Sequence, residues 1–386
     1  MDFSHLRGIE AAFPEAEYAG RLARARAAIA AAGWGALLVT SPETICWLTG
    51  RQTAGYFAFQ MLILPVDGAP ILLVRQLELA GARANTWLDR IETWQDGQDP
   101  LSALIALLHD LGLKNPAIER DGWFISPNTM AAIDARFAGL GDGSGILAPL
   151  RAVKSPAELD AIREAARQAE AGLVAGIATC RSGVDENAVA AAMMVAAIGA
   201  GSEAMAMEPL VSSGPRSGLA HMTWRRRILA EGDAVFLEMA ASQARYHAAL
   251  MRSVWIGTPP AQAQAMMDCA TEALAAALEK CRPGLPCSAP HLAAQSVIDN
   301  AGMTAAFRKR TGYSMGIAFA PDWGEGAILS LFEGVERIIE PGMVFHLPAT
   351  LRDYGVFTVG ASETVIITPD GPCEVLSRLP REICLR

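Results

Sequence analysis

The sequence is poor in the features that would direct it to nucleic acid, to a bilayer or to an oxidising compartment. No block of Lys and Arg runs longer than a triplet such as Arg225–Arg227, and the net charge is −9, so a polyanion is not the expected partner. The longest apolar run, Ala188 to Gly201, is fourteen residues. That is short of the roughly 20 a bilayer-spanning helix needs, and it reads as a buried helix; no membrane partner is expected. Asp2 and His5 stand where a basic start and an apolar run would mark a secretory signal, so the expected location is the cytoplasm. Cysteine is present seven times, an odd number, widely scattered and without a C-x-x-C pair. Neither a disulfide framework nor a cysteine zinc site is supported, and the cysteines read as small core residues.

Apolar material is abundant. Of 386 residues 52% are hydrophobic, enough for two cores, and the length itself exceeds one typical domain. Residues Tyr18–Ala32 have helical spacing and end at Gly33. A short apolar run, Ala36–Thr40, follows as a buried strand and stops at Ser41-Pro42. Met61–Pro65 and Ile71–Val74 read as strands around the turn PVDGAP, and helical patterns return at Pro100–Leu111 and Asn128–Phe137. A boundary shows at RAVKSPAELDAI: Ser155 can cap a helix, Pro156 suits its first position and Glu158 completes a capping box. Beyond that helix come another helix, strands near 206–212, 233–241 and 246–256, helices near 262–280 and 288–301, and a strand-rich end. There is no internal repeat.

Val235–Gly257 reads as two alternating strands joined by a polar turn at Ser242–Arg245. A turn centred between Gln243 and Ala244 pairs Glu238 with Ala249. It puts Glu238, Ala240, His247 and Ala249 on one face, with His247 diagonal to Glu238 at roughly 7 Å. A slip of one residue would turn His247 to the other face. By the same parity Arg252 points away from Glu238, and a buried pair with a carboxylate of the neighbouring strand is its expected task.

These segments resemble the creatinase/aminopeptidase P/methionine aminopeptidase family. SPETICWLTG, RAVKSPAELDAIREA, GDAVFLEMAASQARYHAALMRS, TGYSMGI, EPGMVFHLP and GASETVIIT occur in the order and spacing of that family's motifs, across almost the whole chain. The resemblance implies an α/β fold: an N-terminal creatinase-like domain, residues 1–150, followed by a pita-bread (α+β) catalytic domain, residues 151–386. Metallopeptidases of the family hold two divalent ions with two Asp, one His and two Glu. Carried over, those places are Glu238, Ala249, Tyr313, Pro348 and Glu363. Alanine and proline offer no side-chain donor and neutral tyrosine is a poor substitute for imidazole, so no metal and no other cofactor is expected.

Within the family the chain is most similar to ectoine hydrolases, which open a cyclic amidine. The resemblance implies a metal-independent hydrolase of a C–N bond in a small amidine or amide compound. Glu238 would be nucleophile or general base, Glu363 a second carboxylate gripping the substrate cation, His221 the proton donor to the leaving nitrogen, and His247 a member of the same relay. Tyr246, Tyr313, Asp322 and Trp323 are the candidates for binding a small-molecule substrate, and His291 and His346 read as surface or packing residues. A homodimer is implied too, with Arg51, Gln52 and Tyr56 as candidates to reach a partner's site. A creatinase-like amidinohydrolase, a metal-dependent Xaa-Pro dipeptidase and a catalytically silent binding module remain as alternatives.

Overall fold

A computed structural model describes residues 3–386, and the chain divides into two compact units between Arg151 and Ala152. In the first, β1 (Ala36–Val39) through β6 (Gly141–Asp142) form one sheet in the order β4-β3-β2-β1-β5-β6. The intervening strands are β2 (Met61–Pro65), β3 (Ile71–Arg75), β4 (Arg90–Trp94) and β5 (Pro116–Ile118). Helices α1 (Glu15–Ala31), α2 (Pro42–Thr49), α3 (Leu79–Asn85), α4 (Pro100–Leu111) and α5 (Pro127–Arg136) complete it. Ser41-Pro42 ends a strand as expected, but it also opens α2: the Ser41 hydroxyl accepts from Thr44 N–H and Pro42 takes the first turn, where its missing N–H costs nothing.

The second unit begins with α6 (Pro156–Thr179), whose capping box is formed in full, Ser155 and Glu158 each bonding the other's backbone N–H. After α7 (Glu186–Gly199) come β7 (Leu210–Ser213), β8 (Ala234–Gln243) and β9 (Tyr246–Trp255), then α8 (Ala261–Lys280) and α9 (Ser288–Asn300). The remaining strands are β10 (Gly312–Ser314), β11 (Ser330–Leu331), β12 (Val344–Asp353), β13 (Phe357–Ile366), β14 (Glu374–Val375) and β15 (Cys384–Leu385). Together they make a nine-stranded sheet with the path β11-β10-β12-β13-β9-β8-β7, β14 lying on β13 and β15 on β9.

Alternation along these strands gives the sheet two chemically different faces. One is apolar: Leu237, Met239 and Leu250 pack with residues of α6 and α7, while Leu347, Leu351, Val359 and Val365 pack with α8 and α9. Helix α6 lies so close that a Cβ on Gly172 would fall 2.3 Å from the Met239 sulfur. The opposite, inner face carries Glu238, Ala240, Ala249, Met251, His346, Pro348, Ser362 and Thr364. Among the described residues no helix is long and apolar enough to cross a membrane.

Candidate active site

Hairpin register fixes the site, and it differs from the sequence expectation. Strands β8 and β9 join through Ala244 and Arg245 alone, both at positive φ (51° and 66°), so Glu238 faces Met251 and Ala249 faces Ala240. Two-residue turns of this hand ordinarily use Asn or Gly, and neither is present to mark the place. Tertiary contacts hold it instead. Glu203 accepts from Ala244 N–H at 2.9 Å, the Arg245 guanidinium stacks on Phe319 at 4.6 Å, and the Arg245 carbonyl accepts from Ala318 N–H and His247 Nδ1. His247 therefore pairs with Ser242, four residues along from the partner of Glu238, on the order of 13 Å away at about 3.3 Å per residue. Its other nitrogen, Nε2, accepts from Ala206 N–H at 3.0 Å. The ring is fully buried and burial lowers its pKa to about 4, so it is a neutral fastener of the turn and the expected diagonal with Glu238 does not exist.

Glu363 is corrected in the same way. Ala361 pairs with Arg252, which puts Arg252 and Glu363 together on the helix-facing side of the sheet, away from Glu238. The Glu363 Oε1 accepts from Arg252 Nη2 and from Arg381 Nε, both at 2.9 Å, and Arg252 and Glu363 are each 0% exposed. Burial raises the Glu363 pKa against the pull of both guanidinium groups, and its Oε2 is buried without a partner. The expected buried pair of Arg252 is real, and its carboxylate is the residue assigned to the substrate. Tyr246 also faces the helices, donating to Glu158 at 2.5 Å and tying the hairpin to α6.

What does gather on the inner face is a single carboxylate with two cations. Glu238 is 9% exposed, and burial pushes its pKa up to about 7 against the attraction of Lys309 and Arg352. Among the described residues its carboxylate makes no hydrogen bond, and no ion pair within 4 Å joins it to either cation. Lys309, on the approach to β10, is held by the Pro348 carbonyl, and burial with the nearby Arg352 pulls its pKa down to about 7. Tyr313 stands opposite His346 on β12. Its hydroxyl accepts from Trp323 Nε1 at 2.9 Å and pairs with His346 Nδ1 at 2.9 Å; His346 Nε2 pairs with Ser362 Oγ at 2.7 Å. Burial, then the charge of Glu238, raises the Tyr313 pKa and keeps it a phenol.

The His346 tautomer decides what that phenol offers. With the proton on Nδ1, histidine and tryptophan fill both lone pairs of the Tyr313 oxygen and leave its own proton to donate. With the proton on Nε2, Tyr313 donates to His346 and keeps one lone pair. Trp323 is buried and walls this cluster, whereas Asp322 is exposed and accepts from Gly324 N–H as a turn former. His221 lies on an exposed loop at φ 56°. Arg51 is buried and paired with Glu78 at 2.7 Å, so it is not presented at a surface.

Lys309, Arg352 and Ser362 escaped the sequence reading, and His346, read there as a surface or packing residue, is fully buried and bonded to Tyr313 and Ser362. The signal for Arg352, His346 and Ser362 was strand parity: each lies an even number of residues from Pro348 or opposite it on β13. Lys309 sits in the basic triplet Arg308–Arg310 just before Tyr313. Of the five places carried over from the family's two-ion centre, Glu238, Ala249, Tyr313 and Pro348 lie on the inner face, where Ser362 stands in place of Glu363. One carboxylate cannot balance two divalent ions, and two resident cations oppose them. Among the described residues no cluster of three or more His, Cys, Asp or Glu could hold a metal. The donor set does not fit a two-metal centre.

The model of metallopeptidase family M24 matches residues 160–369, and that of the creatinase/prolidase N-terminal domain matches residues 21–153. An ectoine hydrolase from Halomonas elongata is 29% identical over 97% of this chain and 98% of its own length. A probable dipeptidase PepE from Mycobacterium tuberculosis is 28% identical over 95% and 96%. Among solved structures, dipeptidase PepE from Mycobacterium ulcerans superposes with a TM-score of 0.82 at 25% identity, covering 97% of this chain and 99% of that one. Prolidase from Thermococcus sibiricus superposes with a TM-score of 0.86 at 22% identity over 96% and 99%, a likeness of fold. With a creatinase-type first domain and a pita-bread second one, the chain belongs to metallopeptidase family M24, hydrolases acting on C–N bonds.

Proposed function

We propose that this protein hydrolyses a C–N bond of a small amidine or amide compound without a metal ion, in the manner its ectoine hydrolase relative is named for. The observation that carries the reading is the replacement of a two-ion ligand set by Glu238, Ala249, Tyr313, Pro348 and Ser362, with the side chains of Lys309 and Arg352 supplying positive charge beside the one carboxylate.

A protonated amidine brings its own electrophilicity, so no Lewis acid is required to activate its carbon. Its positive charge offsets the desolvation that holds the Glu238 pKa near 7, and a base in that range suits proton transfer at neutral pH. Glu238 either attacks the amidine carbon or takes a proton from a water that does so. The bond from that carbon to the leaving nitrogen then breaks, and the nitrogen takes up a proton for which the exposed His221 is our candidate donor. Water is consumed, and a cyclic amidine becomes an amide with a free amine. Tyr313 orients the reacting group through the hydroxyl position that Trp323 and His346 leave open. His247 and Glu363 take no part: the first has both nitrogens bonded to backbone, and the second lies on the other face.

The test is turnover by chelator-treated protein supplied with ectoine and, separately, creatine, with ring opening followed by NMR and urea release by assay. Hydrolysis unaffected by the chelator and abolished by Glu238→Gln supports the reading. Hydrolysis that appears only after Mn, Co or Zn is added overturns it in favour of a metal-dependent dipeptidase. Tight binding without product from any amidine, guanidine or amide points to a binding module instead.

A further inference from the structure

We propose that His346 and Ser362 hold Tyr313 as a hydrogen-bond donor that cannot accept, and that its free proton serves the oxygen that water adds to the scissile carbon. The inference rests on the inner face being the active site of a C–N hydrolase. It adds one catalytic residue, Tyr313, and two positioning residues, His346 and Ser362.

One chain of hydrogen bonds crosses β10, β12 and β13. Trp323 Nε1 donates to the Tyr313 hydroxyl at 2.9 Å, His346 Nδ1 lies 2.9 Å from the same oxygen, and Ser362 Oγ lies 2.7 Å from His346 Nε2. His346 is 0% exposed and bonds to no carboxylate, so its ring is neutral and carries one N–H. With that proton on Nε2 it goes to Ser362, and the proton of the serine is left over. Ser362 is also 0% exposed, and among the described residues its hydroxyl bonds to nothing but His346. A buried donor without an acceptor disfavours that form by roughly 5- to 150-fold. With the proton on Nδ1 the chain closes. Ser362 donates to Nε2, Nδ1 donates to Tyr313, and the proton left over belongs to the tyrosine. Tyr313 is the one member of the chain that is not buried, so a ligand on the inner face can take that proton.

Both lone pairs of the Tyr313 oxygen are then filled, and it can neither act as a base nor accept from an amidinium N–H. Its ring is also fixed in place. Arg310 covers it at 4.6 Å, the His346 ring meets it edge-on at 5.3 Å, and a Cβ on Gly324 would fall 2.6 Å from its Cε2. A protonated amidine offers this O–H no acceptor, but one appears when water adds. The C–O bond forms as a water proton passes to Glu238 and the C=N electron pair withdraws to nitrogen, and the new oxygen accepts from Tyr313. The nitrogen leaves with its bonding pair and a proton from its donor, the proton on Glu238 replaces that one, and the hydroxyl proton passes to the free amine as the oxygen becomes a carbonyl. A rigidly held donor that bonds only after addition stabilises the transition state and not the bound substrate.

Long-range proton–nitrogen correlation spectra of the full chain with isotope-labelled histidine read the tautomer directly. The His346 signals are identified by their loss in His346→Gln, and Nε2 is the nitrogen coupled strongly to both ring C–H protons. In wild type the Nδ1–H form should exceed the Nε2–H form about fivefold or more. Ser362→Ala should bring the ratio below about twofold, and Ser362→Thr, which keeps a hydroxyl, should restore it. With ectoine as substrate, Tyr313→Phe should lower kcat about 100-fold while KM changes less than about threefold. Thermal unfolding checks that each variant is folded, and the wild-type spectrum decides the tautomer even where a variant is not. A dominant Nε2–H form in wild type overturns the proposal, as does a ratio indifferent to Ser362→Ala or a Tyr313→Phe defect confined to KM. A prevailing Nδ1–H form in a protein that hydrolyses neither ectoine nor creatine would keep Tyr313 as a donor to a bound ligand and remove the hydrolase; hydrolysis with Nε2–H prevailing would do the reverse.

Discussion

Replacing Glu238 by glutamine should abolish turnover and at the same time make the protein more stable. The carboxylate is buried and unpaired, and its pKa moves from 4.5 to about 7 because burial outweighs the pull of Lys309 and Arg352. A raised acid pKa means that the folded state holds the proton more tightly than the unfolded chain. Stability from this group is therefore whole below pH 4.5 and is lost as pH climbs through about 7. At 1.36 kcal/mol per pH unit the cost above pH 7 is ~3 kcal/mol, with the attraction of both cations already included. Glutamine cannot ionise and does not carry that cost. At roughly 2–4 °C per kcal/mol for a unit of this size, Glu238→Gln should melt about 6–12 °C above wild type at pH 8. The gap should close as pH falls towards 4.5. Differential scanning calorimetry at pH 5 and pH 8, alongside the hydrolysis assay, measures both consequences. A variant that is less stable than wild type at pH 8, or a gap that does not change with pH, would refute the placement of an unpaired carboxylate on this face.

Glu363→Gln should act in the opposite sense. Burial raises the Glu363 pKa, but Arg252 beside it is fully buried and keeps its proton at any ordinary pH, so removing the carboxylate strands a guanidinium; a loss of about 3 kcal/mol or more is expected from denaturant titration. Undiminished stability together with lost turnover would return Glu363 to the chemistry. His247, neutral and buried with its pKa lowered to about 4, contributes stability that is whole above pH 6.5 and lost as pH falls through about 4. Wild type should lose about 2 kcal/mol relative to His247→Gln between pH 7 and pH 5, read from urea midpoints, whereas the rate of hydrolysis at pH 7 by folded variant should match wild type.

Much of the fold was legible in the residues. Ser155, Pro156 and Glu158 spell a helix start at the junction of the two units, and the two reciprocal bonds of its capping box join residues only three apart. Alternation in Val235–Trp255 assigned the right residues to each face of the hairpin, because parity survives an error of two in the pairing sum. The same parity placed Arg252 against a buried carboxylate. Glu363 was misplaced because one residue along β13 exchanges the faces, and the acidic residue of SETV was taken for the position that Ser362 occupies.

The sequence by itself determined the family, the two-domain order, the helix starts and the loss of the metal-binding side chains at Ala249, Tyr313 and Pro348, since these depend on residue identity and local spacing. Only the tertiary structure decided which charges meet. The turn at Ala244–Arg245 has no glycine to announce it and is held by Glu203, His247 and Phe319, and that turn sets His247 far from Glu238. Lys309 and Arg352, 43 positions apart and on different elements, come into one field with Glu238 because β10, β12, β13, β9 and β8 lie side by side in one sheet. Electrostatic energy depends on distance through space and on burial, and neither is written in the distance along the chain.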